Sequence, residues 1–234
     1  MKEKAIFFDV DDTLYDQMDT FGRAYKEVFG NRFDLNMNEL FEARSRRGDE
    51  VFEDSQKGII TMEAMHIYRG QKAFADLGAE ITEEEALEFQ YAYARNQQKL
   101  IMPEVIKQLL DELKEQEVIL GVITNGPSAH QWNKVNVLNM KQWIPEQNLI
   151  VSGDLGINKP DRRIFDAARE RAGADECWFV GDSYVNDIVG GHNAGWKTVW
   201  LNRTRRELQP DEIQPDVMVY DEKEMCEKIR AIGF

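Results

Sequence analysis

Ala5-Ile6-Phe7-Phe8-Asp9-Val10-Asp11-Asp12-Thr13-Leu14 is the stretch on which the fold turns. Four consecutive apolar residues with no polar interruption read as a short strand covered on both faces, as in a parallel sheet. Similar runs recur at 118–123, 149–151, 178–180, 198–201 and 217–219. Between them lie helical patterns. Pro103 suits a first helical position, and Ile106, Leu109, Leu110 and Leu113 follow with the spacing of one helix face. Segments 161–172, 184–194 and 222–232 also read as helices. Strands alternating with helices predict an α/β fold, a doubly wound parallel sheet with right-handed crossovers.

The alternation is interrupted once, from Gln17 to Leu100. Phe21, Tyr25, Val28 and Phe29 mark a helix face there, and 61–77 and 83–100 are helical in pattern. Glu83-Glu84-Glu85 suits the first turn of a helix, where the dipole favours negative charge. Roughly eighty residues is too long for a loop in a compact domain. The expected organisation is therefore a catalytic core of 1–16 and 101–234 with an inserted helical domain over 17–100.

Composition excludes several classes. The 234 residues are 42% hydrophobic and 31% charged, enough apolar surface to bury a core. No apolar run approaches a bilayer span. Lys2, Glu3 and Lys4 precede only four apolar residues, too few for a signal peptide. Cys177 and Cys226 cannot build a disulfide framework or a cysteine zinc site, so a reducing, cytoplasmic location is expected. The net charge of −14 opposes nucleic-acid polymers and anionic membranes as partners. An anion would have to be captured by local positive charge.

The candidate chemistry sits where the strands end, which is where open α/β sheets bind ligands. The first strand runs into Asp9 and Asp11; the second ends in Thr124-Asn125-Gly126; Lys159-Pro160 precedes a helix; and the run at 178–180 ends in Gly181-Asp182, with Asp187 shortly after. These groups suit phosphoryl transfer. A carboxylate can attack phosphorus and form a readily hydrolysed acyl phosphate, and Asp9 leaves the strand first. Asp11 can protonate the leaving alkoxide and later deprotonate water. Crowded carboxylates need a cation, and hard oxygen ligands without a His or Cys cluster point to Mg²⁺. Lys159 supplies fixed positive charge, while Thr124, Asn125 and nearby backbone amides supply phosphate-binding donors.

The set Asp9-Val10-Asp11-Asp12-Thr13-Leu14, Ile123-Thr124-Asn125-Gly126, Asn158-Lys159-Pro160 and Gly181-Asp182-Ser183 with Asn186-Asp187 resembles the haloacid dehalogenase-like hydrolase superfamily. The resemblance implies that Asp9 is the nucleophile and Asp11 the general acid/base. It implies Mg²⁺ held by the Asp9 and Asp182 carboxylates and the Asp11 backbone carbonyl. It also implies that Thr124 and Lys159 bind phosphate, that Asp187 orients Lys159 or a metal-bound water, and that the helical insert is a mobile cap. The dehalogenases that named the superfamily lack the second aspartate, so Asp11 points to a phosphatase. The stretch 182–203 resembles the nucleoside 5′-monophosphate phosphatase branch. A phosphomutase keeps the same residues, and a phospho-acceptor receiver domain is the non-enzymatic rival, though it needs neither a cap nor this length.

The expected substrate is thus a small soluble phosphomonoester, a nucleoside monophosphate ahead of a sugar phosphate. Phe21, Tyr25, Arg47, Phe52 and Tyr68 are candidate selectors in the cap, and Arg44, Arg46 and Arg47 are either anion contacts or a solvated cluster. His66, His130 and His192 show no ligand spacing, and the five tryptophans read as packing residues.

Overall fold

The sheet has six strands in the order β3-β2-β1-β4-β5-β6, every neighbouring pair parallel. The structure, a computed structural model, describes residues 3–234; Met1 and the Lys2 of the amino-terminal reading lie outside the described residues. Strand β1 (Lys4–Phe8) leads into α1 (Gln17–Phe29), α2 (Met37–Gln56), α3 (Met62–Asp76) and α4 (Glu83–Gln97). Then follow α5 (Glu104–Glu115), β2 (Ile119–Thr124), α6 (Ser128–Val137), β3 (Leu149–Val151), α7 (Ser152–Leu155) and α8 (Arg162–Ala172). The chain ends with β4 (Glu176–Gly181), α9 (Gly190–Asn193), β5 (Lys197–Leu201), β6 (Val217–Val219) and α10 (Glu222–Ile232). It divides into two compact units, Met1–Asp16 with Ile101–Phe234, and Gln17–Leu100.

In the sheet unit, both faces of β1 are buried because alternate side chains leave opposite sides. Ala5 and Phe7 join Ile123, Phe165, Phe179 and Trp196 in one cluster against α8. Phe7 and Trp196 meet edge to face at 5.2 Å between centroids, an arrangement that adds to simple area burial. Ile6 and Phe8, pointing the other way, are also fully buried. Helices α5 and α10 pack on one another, tied by Arg230 to Glu112. Cys177 and Cys226 are buried free thiols, inert small hydrophobes in the core. Four tryptophans (143, 178, 196 and 200) are buried, as packing residues should be.

In the helical unit, Phe21, Tyr25 and Phe29 of α1 project between α3 and α4 onto Phe74 and Phe89. Phe29 lies 4.8 Å from Phe74 and 5.4 Å from Phe89, centroid to centroid. Burying each such side chain is worth about 1.5–3 kcal/mol. The starts are capped: Asn36 accepts from Asn38 and Glu39, Thr61 from Ala64, and Thr82 with Glu85 forms a reciprocal capping box. No helix among the described residues is long and apolar enough to cross a membrane.

Two local readings need correction, and one helix carries no mark in the sequence. Pro103 stands just before α5, in an extended conformation (φ −54, ψ 140), because a proline that follows a strand-like entry is stereochemically suited to precede the first turn. Helix α2 is unmarked by periodicity because its charged residues leave only a weak apolar stripe. Segment 184–194 is not one α-helix: Tyr184–Val189 is a wide π-type turn, with Ile188 N–H donating to Ser183 O at 3.4 Å, before α9 begins.

Candidate active site

Strands β1 and β4 are neighbours, but the chain leaves β1 toward β2 and leaves β4 toward β5. Their carboxyl ends therefore flank a topological switch point, where doubly wound sheets open a crevice. Asp9 stands at that end of β1, its N–H fixed by a 2.8 Å bond to Val180 O. Asp182 directly follows β4. Asp187 comes from the π-type turn, which carries its carboxylate back under the strand so that Oδ2 accepts the Ser183 N–H at 2.9 Å. Gly181 makes room for this: a Cβ there would lie 2.2 Å from Asp187 Oδ2. One carboxylate oxygen from each of Asp9, Asp182 and Asp187 falls within 4.8 Å of the others.

Lys159 enters between them. Its Nζ lies 2.7 Å from Asp9 Oδ1 and 2.7 Å from Asp187 Oδ1, and the residue is 4% exposed. Burial works against its ammonium, but Asp187 and Asp9 outweigh that and hold it protonated beyond its ordinary range. One ammonium cannot neutralise three carboxylates. Burial, then Asp9, Asp187 and Asp12, push Asp182 up to about 8. Burial also lifts Asp9 to about 7, with Lys159 opposing the rise and Asp187 and Asp11 adding to it. The cluster is short of positive charge, and its donors are all hard oxygens. Both facts fit Mg²⁺.

Thr124 at the end of β2 and Asn125 just after it are brought to the same place. Asn125 clamps the backbone of Lys159: its Nδ2 donates to Lys159 O at 2.9 Å and its Oδ1 accepts Lys159 N–H at 2.9 Å. Its amide thus sets the position of the lysine. Buried Thr124 donates from Oγ1 to Gln131 Oε1 at 3.1 Å.

Asp11 has partners that the sequence does not reveal. Lys134 Nζ donates to both carboxylate oxygens, at 2.7 and 2.6 Å; Gln131 Nε2 reaches Oδ2 at 3.2 Å; and the Tyr15 hydroxyl donates to Oδ1. Burial would raise the Asp11 carboxyl, but Lys134 and these hydrogen bonds override it and hold it below the usual carboxylate range. Gln131 and Lys134 stand three apart on α6, one face of a helix that starts beside Gly126. That spacing was the available signal, but a lone lysine on an unread helix looks like surface. Arg203, just past β5, donates to Asp12 O at 3.2 Å and pairs with Glu222, steadying a loop whose Asp12 adopts a left-handed φ of 55°.

In the helical unit, Phe21 and Tyr25 belong to its aromatic core and are unavailable for stacking on a ligand. Arg47 is held by Asp76 and Glu50, Arg46 by Asp76, and Tyr68 donates to Glu50 at 2.8 Å. Phe52 is 51% exposed. Arg44 departs from the solvated-cluster reading, since it is only 6% exposed.

Comparison with known proteins agrees with this geometry. The chain is 31% identical to pyrimidine 5′-nucleotidase YjjG of Escherichia coli, over 92% of each chain. It is 26% identical to glyceraldehyde 3-phosphate phosphatase of Methanopyrus kandleri, over 98% of each. Among solved structures it resembles the HAD-hydrolase YfnB of Bacillus subtilis, bound to magnesium, with a TM-score of 0.70, 24% identity and 99% coverage of both chains. Residues 3–195 match the family model described as a haloacid dehalogenase-like hydrolase, and with the switch-point aspartates and Lys159 already in place, the chain belongs to the haloacid dehalogenase-like hydrolase family.

Proposed function

We propose that this hydrolase is a Mg²⁺-dependent phosphatase that cleaves a small phosphomonoester through an aspartyl-phosphate on Asp9. The observation that carries the reading is the buried Lys159 ammonium, 2.7 Å from Asp9 Oδ1 at the mouth of the sheet. It leaves Oδ2 as the attacking oxygen and places positive charge beside the phosphoryl group being transferred. Asp9 and Asp182, with the Asp11 backbone carbonyl, would hold Mg²⁺. When bound, the ion supplies charge neutralisation between the nucleophile and the phosphate dianion.

Asp9 Oδ2 forms a bond to phosphorus as the ester P–O bond breaks. The leaving alkoxide takes its proton from Asp11, which acts as an acid only once it has turned from Lys134. Asp11 then accepts a proton from the attacking water, the acyl phosphate opens, and inorganic phosphate leaves with the Asp9 carboxylate regenerated. Asn125 keeps Lys159 in register throughout, and Asp187 orients its ammonium. Thr124 contributes a phosphate-binding hydroxyl when it exchanges its bond to Gln131. The helical unit serves as the cap that selects the leaving group.

The relatives named above are a nucleotidase and a triose-phosphate phosphatase, which supports a small phosphomonoester; a nucleoside monophosphate is ranked ahead of a sugar phosphate on the resemblance of the stretch 182–203. The test is a turnover screen over nucleotides, sugar phosphates and small organophosphates with Mg²⁺ and with EDTA. Multiple turnovers restricted to the Mg²⁺ wells are expected. Stoichiometric phosphorylation without turnover would instead identify a phospho-acceptor, and conversion between phosphate isomers a mutase.

A further inference from the structure

The helical unit contains a charge imbalance separate from the aspartate cluster. Its other described arginines meet carboxylates: Arg23 meets Asp19, Arg32 meets Glu85, Arg46 and Arg47 meet Asp76, and Arg95 meets Glu27 and Glu88. Arg44 of α2 and Arg69 of α3 form no ion pair among the described residues. Both instead donate to the same atom, Oε1 of Gln90 on α4. The Arg44 guanidinium also stands 5.7 Å from the Phe89 ring centroid and 5.2 Å from that of Tyr93. In a chain of net charge −14, two adjacent cations sharing one neutral amide oxygen is an unusual choice.

An amide oxygen can satisfy hydrogen-bond geometry but not charge. A buried guanidinium without a counter-charge is costly, and a second beside it adds repulsion. Two further buried nitrogens lack partners: Nε of Arg69 and Nδ1 of His66. His66 stands three residues before Arg69 on α3, on the same helix face, and burial, then Arg69 and Arg44, push its imidazole down to about 4. Arg69, Gln90 and His66 are each only half-buried, so the cluster opens toward solvent on their side. Unused guanidinium donors, uncancelled charge and an unpartnered imidazole nitrogen together describe a receptor for an oxyanion.

We propose that Arg44 and Arg69, with Gln90 and His66, form an anion-binding site in the helical unit that takes a compact oxyanion of the carboxylate or phosphate type. The anion accepts from both guanidiniums and displaces neither aromatic ring. It is either a free ion or an anionic group carried by a larger ligand, and the same chemistry serves both.

The test uses the intact chain with Mg²⁺ and isotope-labelled histidine, whose three ring signals are individually assignable. Sodium acetate and inorganic phosphate are titrated against sodium chloride at matched ionic strength. The His66 signal is expected to shift saturably with the oxyanions and not with chloride, while exposed His192 stays still. Arg69→Gln, at a half-buried position, should weaken the His66 response at least about tenfold, since charge-assisted bonds are lost. Arg44→Lys keeps the charge without the planar fork, and should weaken it too. A His66 signal that follows chloride equally, or an unchanged response in Arg69→Gln, overturns the proposal. This readout needs no catalysis, so it stands apart from the phosphatase reading. A second arm finds the source, by comparing KM for 3-phosphoglycerate and glycerol 3-phosphate. A KM increase in Arg69→Gln at least about fivefold larger for the carboxylate-bearing ester assigns the oxyanion to the substrate. Equal KM changes, with the His66 response present in the wild type, assign the site to a free anion.

Discussion

Raising the pH of the metal-free protein should destabilise its sheet unit between pH 6.5 and 8. Burial and mutual repulsion raise Asp9 to about 7 and Asp182 to about 8, against an ordinary 3.8 for each. Both carboxyls are ionised in the unfolded chain throughout this window, whereas the folded chain still binds protons at its lower end. The folded state thus holds more protons than the unfolded one, and its stability falls as the pH rises through the folded values. Integrating over the two groups gives a loss of about 2 kcal/mol between pH 6.5 and 8. In a chain of this size that is about 4–8 °C in Tm. Below pH 6.5 the depressed His130 of the sheet unit, held down by burial and Lys134, works in the opposite direction, which fixes the lower bound of the window. Asp11, held low, changes charge only in acid, and Lys159, held high, only in strong base. The assay is thermal unfolding followed by tryptophan fluorescence in excess EDTA. All five tryptophans (132, 143, 178, 196 and 200) lie in the sheet unit, so the signal reports that unit alone. Mg²⁺ should flatten the decline, because a cation stabilises the ionised pair, and Asp182→Asn in EDTA should remove the larger share of it. A Tm in EDTA that is constant or rises from pH 6.5 to 8 would refute the crowded-carboxylate account.

Other outcomes follow from the same geometry. Asp9→Asn should lower turnover at least about 10³-fold without a large loss of stability, measured by steady-state release of phosphate. Asp11→Asn should be slowest with poor leaving groups and least impaired with p-nitrophenyl phosphate, whose phenolate leaves without a proton; equal losses on both would remove Asp11 from the acid role. Gly181→Ala would press a methyl group 2.2 Å from Asp187 Oδ2, so the Asp187–Lys159 contact must break; about 1–3 kcal/mol of stability and most activity should be lost together. Lys134→Met leaves half-buried Asp11 without its cation, so the activity pH profile should move to higher pH, with Lys134→Arg restoring most of the shift; an unmoved profile would show that Lys134 only packs. EDTA should abolish turnover and Mg²⁺ restore it, while Ca²⁺ should inhibit because its larger, looser shell misplaces Asp9.

Much of this protein could be read from residue order alone, for a physical reason. A strand buried on both faces must be continuously apolar, so Ala5–Phe8 and the later runs declare a parallel sheet, and the residue that follows each run is carried to the sheet's carboxyl edge by covalent connection. Asp9, Thr124 and Asp182 are placed by that connection, and Lys159 and Asp187 by loops too short to take them elsewhere. The helical character of the insert was likewise carried by local periodicity in α1, α3 and α4. What residue order could not supply was which side chain meets which across long separations. Nothing in residue order shows that the Asn125 side chain clamps the Lys159 backbone, and Lys134 looks like surface until its ammonium is found on Asp11. Arg44, Arg46 and Arg47 are near neighbours in the chain, yet one is buried without an acid and two are neutralised by Asp76. Periodicity reports the face of a helix, not what stands opposite. Charge compensation and burial depend on the opposing side chain, and only the packed tertiary structure decides them.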